Sequence, residues 1–115
     1  MSLNREIWDW NAVRERSEAL FGSPHRLGVA LLVAGAEPGE LYAARIAEAA
    51  NVDRRQAARE LEDFRRAEVL VFTGEFHHEG GRGRPGELMA RREEETWEAL
   101  QALGERFRRP TPRRR

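Results

Sequence analysis

The feature that most constrains the fold of this 115-residue chain is the corner Asn51-Val52-Asp53, which separates two short segments of helical periodicity. Asn is one of the few residues that enter the left-handed backbone region at low cost, so Asn51 can turn the chain sharply. Asp53 has the side chain of a helix N-cap, and Val52 can fill the corner between them. The sequence therefore predicts a helix over 43–50, a tight turn, and a second helix that runs to about residue 67.

The helix after the corner is followed by a predicted hairpin. Ala57, Leu61 and Phe64 recur at i, i+4 and i+7, which gives that helix one buried stripe. The segment 69–76 is rich in β-branched and aromatic residues and predicts a strand, and 87–91 can supply the returning strand. Two short helices, a tight turn and a hairpin are the order of a winged helix-turn-helix.

Three further helices are predicted around this motif. The segment 24–34 is apolar on most faces and is expected at the centre of the core, with Ser23 as its N-cap and Pro24 at its first position. Amphipathic patterns predict flanking helices over 5–21 and 92–107. The predicted fold class is therefore mainly α with a small β-hairpin.

Length and composition indicate one domain over 1–107 and a disordered, Arg-rich tail over 108–115. The sequence has no cysteine, which excludes disulfides, Cys-ligated zinc and a thiol nucleophile. No apolar run reaches the roughly 18 residues that a membrane span needs, and the first residues lack the layout of a signal peptide. We therefore expect a cytoplasmic protein.

The stretch 46–70, IAEAANVDRRQAARELEDFRRAEVL, resembles the helix-turn-helix of bacterial winged-helix transcriptional regulators of the ArsR/MarR-like group. The residues of matching type are Ile46, Ala47, Glu48, Val52, Arg59, Leu61, Phe64 and Val69. The resemblance covers about 20–103, with the helix-turn-helix over 43–67 and a wing over 69–91 whose tip is GRGRPG. Departures from the family pattern are Asn51 and Glu68 in place of Gly, Ala58 in place of Ser, and Tyr42 in place of a Ser or Thr cap.

This resemblance implies a DNA-binding regulator with a three-helical core, a wing and flanking helices. It further implies a homodimer that reads a palindromic operator through the helix over 53–67. It leaves open the operator sequence, the regulated genes, any small-molecule effector, and whether the protein represses or activates. The role of the arginine tail is also left open.

The placement of charge supports a nucleic-acid contact independently. All 20 basic residues are Arg, the formal net charge is zero, and the arginines are clustered. Arg54 and Arg55 occupy the first turn of a helix, where the helix dipole disfavours cations by about 0.3–1 kcal/mol. Ion pairs at i, i+4, Arg59–Asp63 and Glu62–Arg66, are predicted to be structural. The predicted DNA-contacting residues are Arg54, Arg55, Gln56, Arg59, Arg82 and Arg84.

An enzymatic interpretation is not favoured. Gly81, Gly83 and Gly86 match the spacing of a dinucleotide-binding loop, but no second parallel strand follows to complete that unit. Adjacent histidines on a strand, His77 and His78, point to opposite faces, so a shared metal ion is not expected. No nucleophile–base constellation stands out, and we expect neither catalysis nor a cofactor.

Aromatic residues near the two ends of the chain suggest self-association. The predicted dimer interface consists of Trp8, Trp97, Leu100 and Phe107, because aromatics are enriched at interfaces. Ordinary core packing of the same residues is the alternative. An alternative function is a winged-helix protein–protein interaction module without operator binding, in which the acidic second half of the helix over 53–67 would face a protein partner.

Overall fold

Five α-helices and one antiparallel hairpin make up residues 7–77 and 86–108, the part of the chain that the computed structural model describes. The elements in order are α1 Trp10–Phe21, α2 Arg26–Gly35, α3 Ala43–Ala50, α4 Arg54–Arg66, β1 Leu70–His77, β2 Gly86–Arg91 and α5 Glu94–Glu105. The mainly helical fold class with a small hairpin is confirmed. None of the helices in these residues combines the length and apolar character that crossing a membrane requires.

The centre of the fold is α2, which packs against α1, α3, α4 and α5. Its sequence is apolar around almost the whole circumference, and seven of its ten residues are buried. Val29 and Val33 are fully buried in the main core, while Leu27 and Leu31 contribute to a smaller cluster with Val13. Burial of each such side chain contributes about 1.5–3 kcal/mol. The predicted central position of this helix is confirmed.

The corner between α3 and α4 forms as predicted. Asn51 adopts the left-handed conformation with φ 56° and ψ 45°, and its N–H donates to the carbonyls of the last turn of α3. The N–H of Val52 donates to the Ala47 carbonyl at 3.1 Å. The Asp53 carboxylate accepts from the N–H of Gln56 at 2.7 Å and so caps α4. These contacts satisfy N–H groups at the end of α3 and the start of α4 within three residues of chain.

The first helix starts later than predicted. α1 begins at Trp10, with the carboxylate of Asp9 accepting from the Ala12 N–H at 3.4 Å. The preceding residue, Trp8, instead forms an antiparallel bridge with Arg108, and the N–H of Asp9 donates to the Phe107 carbonyl at 2.8 Å. The predicted helix over 5–21 is therefore wrong at residues 7–9, because the backbone there pairs with the other end of the chain. Residues 5 and 6 lie outside the described part.

The predicted cap of α2 is also wrong. This helix begins at Arg26, and Ser23 and Pro24 precede it. The hydroxyl at its N-terminus comes from α1: the Ser17 Oγ accepts from the Leu27 N–H at 2.9 Å and donates to the Ser23 carbonyl at 2.5 Å. The buried Ser17 of α1 thus takes the place of a cap residue next to α2 in sequence. Only the packing of α1 against α2 brings it to this position.

The hairpin is fastened to the helices at its base. The Arg91 Nη1 donates to the carbonyls of Val33 (2.9 Å) and Ala36 (2.8 Å) at the end of α2, where the helix dipole favours a cation. The N–H of Met89 donates to the Leu41 carbonyl, just before α3, at 2.9 Å. The predicted strands over 69–76 and 87–91 are confirmed to within one residue at each end.

The last helix is two residues shorter at each end than the predicted 92–107. Glu93 precedes it in the left-handed conformation, with φ 54°, so the regular helix cannot extend back through this residue. Its carboxylate accepts from the Thr96 hydroxyl at 3.3 Å. Gly104 lies so close to Leu31 that an added Cβ would be 2.7 Å from that side chain, which brings α5 against α2.

Glu68 provides a test of the turn between α4 and β1, because it is a non-glycine residue with φ 66°. We expect Glu68→Gly to raise the free energy of unfolding by about 1 kcal/mol, since glycine adopts this conformation without a Cβ clash. Glu68→Ala is the matched control, because it removes the carboxylate and keeps the Cβ. Urea denaturation of both variants measures the difference. A glycine variant less stable than the alanine variant would contradict this backbone assignment.

Candidate functional site

α4 presents one side to the core and the opposite side to solvent. Ala57, Leu61 and Phe64 are buried, as the sequence predicts. At 100° per residue, Arg55, Arg59 and Arg66 project from the opposite side, and all are exposed. Arg54 is exposed as well and belongs to the same first turn, but it projects about 100° around the axis from Arg55. We call these four residues the arginine face of α4.

The arginine face has no neutralising partner in the described part of the chain. Across residues 7–77 and 86–108, none of its four guanidinium groups lies within 4.0 Å of a carboxylate oxygen. The first turn of α4 contains no acid, and the carboxylate that precedes it, Asp53, is engaged as the N-cap. The partial positive charge of the helix N-terminus adds to the same region. This surface is therefore a concentrated source of positive potential on a protein of zero net charge.

The acids of α4 are occupied by contacts inside the protein. Glu60 has only 2% of its surface exposed, and its carboxylate accepts from three donors. These donors are Arg26 Nε (2.8 Å), Gln56 Nε2 (3.0 Å) and Ser23 Oγ (3.2 Å). Arg26 also pairs with Asp63. We call this set the Glu60 network, and it ties α4 to α2 and to the loop before α2.

Glu62 is paired within its own helix, but not with the predicted partner. Arg65 donates two hydrogen bonds to it, at 2.8 and 2.9 Å. These bonds, together with the nearby positive charges of Arg65 and Arg66, lower the pKa of the Glu62 carboxyl. The predicted pairs Arg59–Asp63 and Glu62–Arg66 are therefore wrong: Asp63 pairs across to α2 and Glu62 pairs at i, i+3. The consequence is that Arg59 and Arg66 form no ion pair within 4.0 Å in the described residues, although the charge of Arg66 is near enough to Glu62 to influence its pKa.

Gln56 is placed differently from the arginines around it. Its side chain is partly buried, and its amide nitrogen donates to Glu60. A bidentate contact with adenine uses both the amide oxygen and the amide nitrogen. The second N–H and the Oε1 of Gln56 have no described partner, so such a contact is possible only in an orientation that the hydrogen bond to Glu60 permits.

The remaining predicted DNA-contacting residues, Arg82 and Arg84, lie outside the described residues. The strand that follows them is positioned closely against the start of α3. A Cβ added to Gly86 would be 3.2 Å from the Tyr42 ring, so a side chain at this position would push the ring away. Gly86 therefore allows β2 to approach the residue before α3.

The four residues of the predicted dimer interface fall into two pairs. Trp8 and Trp97 are 2% and 1% exposed, and the Trp97 indole N–H donates to the Val69 carbonyl at 3.0 Å. These two residues are therefore part of the core of a single chain, and core packing accounts for them. Leu100 and Phe107 are partly exposed and keep surface that a partner could contact. The guanidinium groups of Arg16 and Arg106 lie 5.4 and 5.7 Å from the centre of the Phe107 ring.

The space enclosed beside α2 and the corner after α3 is limited. A cavity of about 20 Å³, room for roughly one water molecule, lies between α1, α2 and the corner after α3. Its lining includes Trp10, His25 and Val52. Within residues 7–77 and 86–108, no group of three or more metal-ligating side chains comes together. The arginine face is accordingly the most distinctive chemical surface of the described fold.

Comparison of the chain with protein-family models, with curated proteins and with solved structures found no significant match. A functional assignment therefore depends on the geometry and charge of α4 and its neighbours.

Sequence analysis did not single out Arg26 and Glu60. These two residues are 34 positions apart, and their pairing becomes visible only when α2 and α4 are packed together.

The Glu60 network predicts a large difference between two acids of the same helix. We expect Glu60→Ala to lower the free energy of unfolding by about 2–4 kcal/mol, because Arg26, Ser23 and Gln56 lose a buried acceptor. Glu62→Ala is the matched control, since it removes a half-exposed acid two residues away, and a far smaller loss is expected. Urea denaturation of both variants provides the comparison. Equal losses would show that Glu60 is not the main attachment of α4.

Proposed function

We propose that this protein is a sequence-specific DNA-binding transcriptional regulator, a winged helix-turn-helix protein whose recognition helix is α4. The observation that carries the proposal is the arginine face: four exposed guanidinium groups without a carboxylate partner in the described residues, three of them in the first two turns of α4. In helix-turn-helix docking, the N-terminal half of the second helix enters the major groove. The same half of α4 carries Arg54, Arg55 and Arg59.

The dimensions of α4 suit this role. A helix with its side chains is about 10–12 Å across, and the major groove of B-DNA is about 12 Å wide. The arginine face can supply bidentate contacts to guanine and charge-assisted contacts to phosphates. Because the whole chain is neutral, the attraction is local to this surface, which favours a targeted site over general polyanion binding.

The internal pairing of the acids supports the proposal further. Had Asp63 paired with Arg59, the outward surface would be partly neutralised. Arg26 instead holds both Asp63 and Glu60 on the flank that faces α2. Because Glu60 and Asp63 are paired with Arg26, the second half of α4 does not present these two carboxylates as free acids. This pairing weighs against the alternative function, a module that binds a protein partner through an acidic surface.

We further propose that the protein is a cytoplasmic homodimer formed through α1 and α5. Trp8, just before α1, forms an antiparallel bridge with Arg108, just after α5. Leu20 of α1 is 52% exposed, and Leu100 of α5 and Phe107 just after it are partly exposed, which provides apolar surface for a second copy. Two recognition helices related by a two-fold axis would read a palindromic operator.

The test of this proposal is fluorescence-anisotropy titration of labelled 30-base-pair duplexes tiled across the DNA upstream of the coding sequence, at two salt concentrations. We expect one tile to bind far more tightly than the others, with an affinity that falls steeply with salt because phosphate contacts release counterions. Uniformly weak binding to all tiles would contradict operator binding. It would favour the protein-interaction module.

Substitution of residues in the arginine face is expected to weaken DNA binding without lowering the free energy of unfolding. We expect Arg55→Ala combined with Arg59→Ala to weaken binding to the preferred tile at least tenfold. The free energy of unfolding should be unchanged or a few tenths of a kcal/mol higher, because the substitutions remove two like charges at i, i+4 and a cation near a helix N-terminus.

The matched control for this double variant is Arg14→Ala combined with Arg92→Ala. Both control residues are exposed and have no carboxylate partner in the described part of the chain, and the change in net charge is the same. We expect the control to bind within about threefold of the wild type, by an effect of overall charge alone. If both double variants lost affinity equally, a role for the arginine face in recognition would be contradicted.

A further inference from the structure

The side chain of Gln56 is held by a buried neighbour on the same helix. Its Nε2 donates to the Glu60 carboxylate at 3.0 Å, one turn further along α4. That carboxylate is itself fixed, because Arg26 Nε donates to it at 2.8 Å and Ser23 Oγ at 3.2 Å, and only 2% of Glu60 is exposed. The amide of Gln56 is therefore attached to a group that cannot reorient as a surface glutamate would.

The chemistry of a carboxylate decides which end of the Gln56 amide faces Glu60. A carboxylate accepts hydrogen bonds and donates none, whereas a primary amide has an accepting oxygen at one end and two N–H groups at the other. Turning the amide by 180° would place Oε1 of Gln56 against the Glu60 oxygens, where two acceptors repel each other. The amide nitrogen consequently faces Glu60, and Oε1 is directed away from it.

This orientation leaves Gln56 with one acceptor and one donor for a ligand. Within residues 7–77 and 86–108, neither Oε1 nor the second N–H of Gln56 forms a hydrogen bond, and the side chain is partly exposed. Gln56 and Arg59 are neighbours at i, i+3, about 60° apart around the axis and about 4.5 Å apart along it. The donor–acceptor pair of Gln56 therefore lies at the edge of the arginine face, in the half of α4 that the proposed function places in the major groove.

We propose that Gln56 contacts one adenine of the operator and that Glu60 is the positioning residue that fixes the Gln56 amide for this contact. The inference rests on the proposed function. In the major groove, adenine offers a donor, the N6 amino group, beside an acceptor, N7. Guanine offers two acceptors, cytosine an amino donor, and thymine a carbonyl acceptor and a methyl group. Adenine is thus the base whose edge matches both free groups of Gln56.

The other side chains of the same two turns cannot make this distinction. Arginine donates hydrogen bonds and accepts none, so the arginine face matches guanine and phosphate, which offer acceptors. Within residues 54–60, the side chains with an acceptor are those of Gln56 and Glu60, and Glu60 is buried. A phosphate would leave Oε1 of Gln56 without a donor. Recognition of a base that presents an amino group therefore depends on Gln56.

The first test is competition anisotropy with the preferred 30-base-pair tile and all its single-base-pair variants. We expect an A·T pair at which every replacement weakens wild-type binding roughly tenfold. Gln56→Met keeps a side chain of similar size without the amide, and it should bind all four base pairs at this position within about twofold. Gln101→Met, on α5, is the matched control and should keep every wild-type preference. Wild-type preferences at every position in Gln56→Met would overturn the adenine contact.

Two base analogues test the two hydrogen bonds separately without altering the protein. 7-Deazaadenine at the identified position lacks the N7 acceptor, and purine lacks the N6 amino donor. Each should weaken wild-type binding about fivefold, as the loss of one hydrogen bond predicts, and neither should weaken binding by Gln56→Met. A loss with 7-deazaadenine alone would show that Oε1 is not used, which contradicts the orientation assigned to the amide.

Glu60→Gln tests the positioning role. The new side chain has the same shape, and its oxygen can still accept from Arg26, but its amide also donates, so that Gln56 can adopt both orientations. We expect the adenine preference to fall to about threefold or less, with the preferences at other positions unchanged. Unchanged adenine preference would overturn the positioning role. Weakening at all positions together would overturn it as well, because a displaced α4 accounts for that result.

A second variant serves if urea denaturation shows that Glu60→Gln does not fold. Glu60→Asp keeps the carboxylate but shortens the side chain by one methylene, which takes the carboxylate out of reach of the Gln56 amide nitrogen. The same selective loss of adenine preference is expected. Full adenine preference in a folded Glu60→Asp variant would contradict the positioning role.

The outcomes distinguish this inference from the proposed function. A wild-type chain that binds one tile tightly, but without an A·T preference that depends on Gln56, would overturn the inference and leave the regulator assignment intact. If the wild-type chain bound no tile above the others, the proposed function would fail and this inference would fail with it.

Discussion

The position of α4 depends on a carboxylate that is almost completely removed from water. Burying the charge of Glu60 is unfavourable unless each acceptor site finds a donor. Arg26, Ser23 and Gln56 provide those donors from α2, from the loop before α2 and from α4 itself. This requirement specifies the rotation of α4 more narrowly than the apolar stripe does, because apolar contacts tolerate a range of orientations whereas hydrogen bonds do not. The outward direction of the arginine face follows from it.

The charges of α4 are arranged against the stability of the isolated helix. A helix selected for stability alone would carry acids in its first turn and would neutralise its arginines at i, i+4. Here Glu60 and Asp63 pair with Arg26 of α2, and cations occupy the end of the helix where the dipole is unfavourable. Local departures of this kind are common at functional sites. They are the physical basis of the proposal that this surface binds a polyanion.

Local features of the chain were predictable from sequence, whereas pairings between distant segments were not. The left-handed Asn51, the Asp53 cap and the stripe of Ala57, Leu61 and Phe64 each depend on neighbours within about seven positions. The cap of α2 by Ser17 and the burial of Glu60 depend on how helices dock. Helical spacing allows Asp63 to pair with Arg59. It cannot reveal that Arg26, which the packing of α2 against α4 brings close, pairs with Asp63 instead. The exposure of the α4 arginines was therefore predictable from sequence, whereas the pairing of the neighbouring acids with Arg26 and Arg65 was not.

The attachment of the hairpin has a mechanical consequence. Its base is held by Arg91 on the end of α2, by Met89 on the residue before α3, and by the Val69 carbonyl, which accepts from both Arg92 and Trp97. These contacts join the base of the hairpin to the end of α2, to the segment before α3 and to α5. The direction in which the two strands leave the helical core is consequently set by hydrogen bonds at the base of the hairpin.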